Sequence, residues 1–136
     1  MRKTNQKGFT IIELLVVIVI IGILVALALP QLFAAQARGR DTDRKNDLKN
    51  IQQKLETYFN DNDEYPAADD LDAAGISDDD MVGPRNTAYE YDPECEDTCQ
   101  SYTLSAQLEN EGDKDADDSG NYVLRSVNQP GQEDED

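Results

Sequence analysis

Three sets of residues in this 136-residue chain have the types and spacing to do chemistry. The first is a lone carboxylate, Glu13. It lies four residues inside the apolar run FTIIELLVVIVIIGILVALAL, 21 residues long, at positions 9–29. A charge at membrane depth is costly and marks a functional position by default. Its relief is a cation at the same depth, and the chain supplies one there only as a new α-amine made by cutting. The alternative is a carboxylate that snorkels to the headgroups from near the helix end. The second set is Cys95 and Cys99, the two cysteines of the chain. In an oxidising compartment they are expected to pair, closing a short loop worth on the order of 2 kcal/mol. Zinc needs three or four Cys or His ligands, and there is no histidine to complete a set. The third set is Asp113, Asp115, Asp117 and Asp118. Asp-x-Asp-x-Asp opens an EF-hand loop, but Asp118 stands where that loop has glycine and Leu124 where it has a bidentate glutamate. A calcium loop and a plain acidic surface both fit. Without histidine or a free thiol the chain offers no triad or activated nucleophile, so an enzyme is not expected.

These residues need elements to hold them. About 20 apolar helical residues span a hydrocarbon core, so residues 9–30 form a transmembrane helix. Gly22 and Pro30 are its weak points, and a kink is expected near Pro30. Residues 31–47 carry few large apolar side chains and read as a charge-laced, solvent-facing helix with Arg40, Asp43, Arg44, Lys45 and Asp47. From Leu48 an apolar stripe begins: Leu48, Ile51, Leu55, Tyr58 and Phe59. A head is expected to pack on that stripe, with the helix ending at residues 60–62, before Tyr65-Pro66. Residues 67–87 are acidic and turn-rich, with one helical turn at 69–74. Three strands are expected at 87–92, 101–109 and 121–127 from their period-2 alternation. The segment DPECEDTCQ reads as a turn with the cysteines at its tip. The class is α+β: a long N-terminal helix on a small antiparallel sheet of about three strands. The expected division is a leader at 1–8, a membrane helix at 9–30, the second half of the helix at 31–62, a head at 63–128 and a disordered acidic tail at 129–136.

The residues GFTIIELLVVIVIIGILVALALP, positions 8–30, resemble the N-terminus of type IV pilins and pseudopilins. Weaker resemblance continues through KNDLKNIQQKLETYFNDNDEYP, SYTLSAQLEN and NYVLRS. The resemblance implies that a membrane-embedded prepilin peptidase cuts between Gly8 and Phe9 and that Phe9 is then N-methylated. It implies that Glu13 meets the free amine of a neighbouring subunit and sets axial register in a helical filament of identical copies. It also implies a membrane platform protein and an assembly ATPase as partners. Calcium binding by secretion pseudopilins gives the acidic loop a parallel in composition and place.

Charge sets further expectations. The net charge is −17, and residues 56–136 hold 25 acidic against three basic residues. Such a head repels nucleic acid, anionic lipid and its own copies at low salt. The basic stretch around residues 38–49 is the one place DNA could touch, and a filament would largely cover it. Arg2, Lys3 and Lys7 precede the apolar run, but Arg38, Arg40, Arg44 and Lys45 follow it, so the positive-inside count does not decide orientation. The resemblance and the paired cysteines place the leader in the cytoplasm and the head outside, with a single pass through lipid. The expected function is a structural prepilin of a type IV pilus-like surface filament for adhesion, motility or DNA uptake. A major pseudopilin of type II secretion is the near alternative, and a non-polymerising, membrane-anchored calcium module is the other class.

Overall fold

The computed structural model describes residues 8–110 and 112–127. Among these residues are one helix, α1 (Ile11–Asn62), three 3-10 turns (Leu71–Ala74, Asp78–Met81, Pro84–Asn86) and five strands. The strands are β1 (Val82–Gly83), β2 (Thr87–Ala88), β3 (Glu90–Cys95), β4 (Cys99–Gln107) and β5 (Asn121–Arg125). The class is α+β, as expected. The leader, apart from Gly8, and the acidic tail at 129–136 lie outside the described residues.

The chain divides into two compact units between Gln36 and Ala37. In the first, α1 is long and apolar enough to cross a membrane. Every side chain from residue 8 to residue 36 is exposed, Ile11 and Leu27 among them. Apolar surface on this scale needs lipid or protein over it. The helix runs through Gly22 and Pro30 without a break. In lipid, where water cannot serve the backbone, helix is the cheapest way to satisfy its polar groups, even with one donor missing at Pro30.

The second unit builds its core from the expected stripe. Leu48, Ile51 and Leu55 are buried against Tyr65, Ile76, Tyr89, Tyr102, Leu104 and Ala106, with Phe59 partly covered. Tyr58 is only half-buried and stands outside this cluster. β3, β4 and β5 form an antiparallel sheet in that order, with Tyr91 opposite Leu104 and Leu104 opposite Leu124. Alternation along β4 holds as read: Tyr102, Leu104 and Ala106 point inward and are buried. Phe59, Tyr65, Tyr102 and Tyr91 stack in sequence, with ring centroids 4.5, 4.7 and 5.6 Å apart. The hydroxyls of Tyr65 and Tyr102 both donate to Glu56, each at 2.9 Å.

Three expectations need correction. The strand expected at 87–92 is broken at Tyr89. β2 pairs with β1 in a separate two-stranded ladder, and only β3 joins the main sheet. The cause is Tyr89, whose hydroxyl crosses β1 to donate to Asp47 at 2.7 Å. It does so over Gly83, where a Cβ would lie 2.1 Å from that hydroxyl. Next, the cysteine turn is narrower than read. Cys95 and Cys99 end and begin strands and face each other in the ladder, so only residues 96–98 are left as turn. Last, residues 41–47 do not simply face solvent. Asp41 is 1 % exposed and Arg44 2 %, so the head begins to pack two turns before Leu48.

Candidate assembly helix and head clasp

Gly8, Phe9 and Glu13 sit together where α1 begins. Gly8 and Phe9 precede the helix in exposed chain. Thr10 stands at the N-cap: its hydroxyl accepts the Glu13 backbone N–H at 3.4 Å and donates to the Glu13 carboxylate at 3.5 Å. This is close to a capping box, in which a Ser or Thr and an acid three residues on satisfy the helix start between them. A carboxylate in the first turn also complements the positive end of the helix dipole. Glu13 therefore has a local role that its place in the apolar run did not reveal. Its carboxylate is exposed, at the head of 23 further residues of uncovered helix, 14–36.

The buried charges on α1 form a clasp with the chain that leaves β4. The Asp41 carboxylate accepts the backbone N–H groups of Glu109 and Asn110, both at 2.9 Å, and the Arg44 guanidinium at 2.7 Å. Arg44 also donates to Glu109 at 2.8 Å. Arg40 donates to Glu109 through Nε at 2.8 Å and through a second nitrogen. Arg85 comes within 3.7 Å of the same carboxylate. The hydrogen bonds from Arg40, then those from Arg44, pull the Glu109 carboxyl down to about 2, against a smaller upward push from desolvation. Arg44 Nε is buried without a hydrogen-bond partner among the described residues. Reading for apolar stripes missed this clasp because its members are charged. A signal was present: counting back from Leu48 by four and by seven reaches Arg44 and Asp41, on the buried face of the same helix.

The acidic loop after β4 is held by a cation of the chain itself. Lys45 Nζ bonds Asp113 at 2.6 Å and Asp115 at 2.7 Å, and lies 5.4 Å from the centre of the Tyr122 ring. Asp117 accepts the backbone N–H groups of Ser119 and Asn121 at 2.9 and 2.8 Å, shaping the turn into β5. Asp118 is exposed. Among the described residues no group of three or more Asp, Glu, His or Cys is placed to hold a metal.

Cys95 and Cys99 form a disulfide. It closes the β3–β4 turn, and the Cys99 carbonyl accepts the Tyr65 N–H at 2.8 Å, tying the hairpin to the segment after α1. Replacing Cys95 with serine is expected to lower the stability of the head by about 2 kcal/mol, the value for so short a loop. Thermal melts with and without reductant check this: reductant should lower the wild-type midpoint and leave that of C95S unchanged.

The family profile of the prokaryotic N-terminal methylation motif matches residues 3–29. The type II secretion system core protein G of Pseudomonas aeruginosa is 43 % identical over 67 residues, covering 49 % of this chain and 47 % of its own length. By this motif and these identities the chain is similar to type IV pilins and pseudopilins. The type IV wide pilus major component of Thermus thermophilus is 48 % identical over 61 residues, 45 % of this chain and 47 % of that protein. The type IV major pilin of Myxococcus xanthus is 41 % identical over 61 residues, 45 % of this chain and 28 % of that protein. The chain thus spans about half the length, or less, of these curated relatives. No solved structure gives a significant match. The methylation motif takes in Gly8, Phe9 and Glu13, whereas the clasp partners Arg85 and Glu109 come from the head.

Proposed function

We propose that this protein is a structural prepilin, a subunit that polymerises through α1 into a type IV pilus-like filament after its leader is removed. The observation that carries the reading is the methylation motif over residues 3–29, with Glu13 at the head of a wholly exposed apolar helix. In the membrane, lipid covers residues 9–30. In the filament, the same surface packs against other copies, with Gly22 and Pro30 as the points where α1 can bend. Prepilin peptidase cuts between Gly8 and Phe9, Phe9 is N-methylated, and its amine pairs with Glu13 of a neighbour. The exposed chain before Ile11 is accessible to such a peptidase. The leader stays on the cytoplasmic side and the disulfide-closed head faces outward. The chemistry is assembly rather than catalysis.

A type II secretion pseudopilin is a second reading, favoured by the 43 % identity to a secretion core protein. A retraction ATPase among neighbouring genes would support the pilus, and an outer-membrane secretin with secretion components the alternative. Sheared filaments give the direct test. Intact-mass analysis of their subunit should show loss of residues 1–8 and a gain of one methyl group at Phe9. G8V should accumulate uncut in the membrane. Full-length chain within wild-type filaments would overturn the processing step.

A further inference from the structure

The head is strongly acidic, yet beside the clasp it gathers cations. Arg40, Arg44 and Arg85 surround Glu109, with Asp41 as the other carboxylate, so three guanidinium groups share two acids. Arg44, Arg85, Thr87, Gln107, Leu108 and Glu109 line a cleft of about 230 Å³ next to this cluster. Two features set the cleft apart. Arg44 lines it with its buried Nε lacking a hydrogen-bond partner among the described residues. Arg85 sits at its rim, 68 % exposed, on a turn where Arg85 and Asn86 both take positive φ, 63° and 59°. Two successive non-glycine residues in that region are uncommon, and such strain persists only where the surrounding structure fixes it. The turn holds the Arg85 guanidinium outward, away from full pairing with Glu109.

We propose that this cleft is a socket for a carboxylate of a second copy of the chain, an Asp or Glu on the acidic head of the next subunit. The inference rests on the filament reading above, because only an assembly of copies brings another head to the cleft. Charge complementarity selects the occupant. Residues 56–136 carry 25 acidic side chains, and heads packed side by side repel one another unless some acids meet cations. Lys45 and Lys54 are already engaged by Asp113, Asp115 and Asp80 within their own chain. Arg38, Lys49, Lys114 and Arg125 are exposed, but none of them shares a carboxylate with the clasp or lines this cleft. A cleft that takes an acid from a different surface of the next copy makes a head-to-tail contact, the kind that an open helical filament repeats. Guanidinium also presents the planar fork that suits carboxylate.

The test uses the full chain in cells that lack the native subunit. R85K keeps the charge and should give filaments near the wild-type level. R85E turns attraction into repulsion and should cut filament yield on the order of tenfold at unchanged membrane level. Wild-type yield from R85E would overturn the socket. Should R85E fail to accumulate, R85K still decides. Filaments grown from equal parts of light and 15N-labelled R85K protein are treated with a carbodiimide, which condenses the introduced amine with a carboxylate in contact to give an amide. Mixed-isotope links from position 85 to an Asp or Glu of another chain are the expected result. Links only within one chain, to Glu109, would overturn the proposal. Absence of wild-type filaments would instead overturn the filament reading, and the socket with it.

Discussion

Cells that make E13Q as their only copy are expected to hold the protein in the membrane at normal levels and to shed few filaments. In the membrane Glu13 lies near the end of α1, where headgroups and water relieve part of its cost. In a filament it moves into a bundle of helices without bulk water, where an unpaired carboxylate is strongly unfavourable. On the proposed processing, cleavage before Phe9 would supply an ammonium at nearly the same depth, and opposite charges attract far more strongly there than in water. A helix one step out of register leaves both charges alone, so the pair selects the register. Glutamine is uncharged and cannot make that pair. The structure adds a control. Thr10 caps the helix together with Glu13, and glutamine serves at the third position of a capping box as glutamate does. E13Q therefore keeps the helix start and removes only the charge, whereas E13A removes both. Equal loss of filaments in the two variants assigns the defect to charge. Loss in E13A alone would assign Glu13 to capping, and wild-type yield from both would show that apolar packing sets register without it.

The second large effect is expected at Asp41. D41A leaves Arg44, 2 % exposed, without its nearest anion and strips two backbone N–H groups of their acceptor. Removing one partner of a buried ion pair costs about 3–5 kcal/mol, a large part of the roughly 5–15 kcal/mol that holds a typical domain folded. The melting temperature of the full chain in detergent, followed by near-UV circular dichroism of the head's tyrosines, should fall by at least ~10 °C. Adding R44M to D41A should cost less than the two single changes summed, because the second removes a charge the first has stranded. An additive double variant would mean that the two side chains do not act together. Acid gives a further signature through Glu109. Its folded carboxyl titrates near 2, below its ordinary value, so its stabilisation is complete above the ordinary carboxylate range and is lost as pH falls toward 2. In E109Q that part of the acid slope should be missing.

Both effects begin at charges on one helix, but they differ in how readily the residues reveal them. Glu13 is conspicuous because it interrupts an apolar run. Asp41 and Arg44 sit among other charges in a segment whose composition reads as surface, and only the arrival of the β4 end on α1 makes them interior. A carboxylate that accepts two N–H groups from residues 68 and 69 positions away depends on a contact no local pattern encodes.

The sequence by itself determined the long helix, the stripe at Leu48, Ile51 and Leu55, the inward face of β4 and the disulfide partners. Each rests on a short-range regularity: helical spacing, two-residue alternation, or two thiols four residues apart in a hairpin. Tertiary structure alone decided the rest. Tyr89 breaks a strand because its hydroxyl reaches Asp47 across a glycine that leaves it room. Lys45 ties Asp113 and Asp115, whose spacing alone favoured a plain acidic surface over a cation loop. Arg40, Arg44 and Arg85 become one cluster because α1, the turn before β2 and the end of β4 meet at Glu109. The physical reason is common to all three. A charge or hydroxyl has no fixed preference for inside or outside, and takes its place from the partner the fold brings to it.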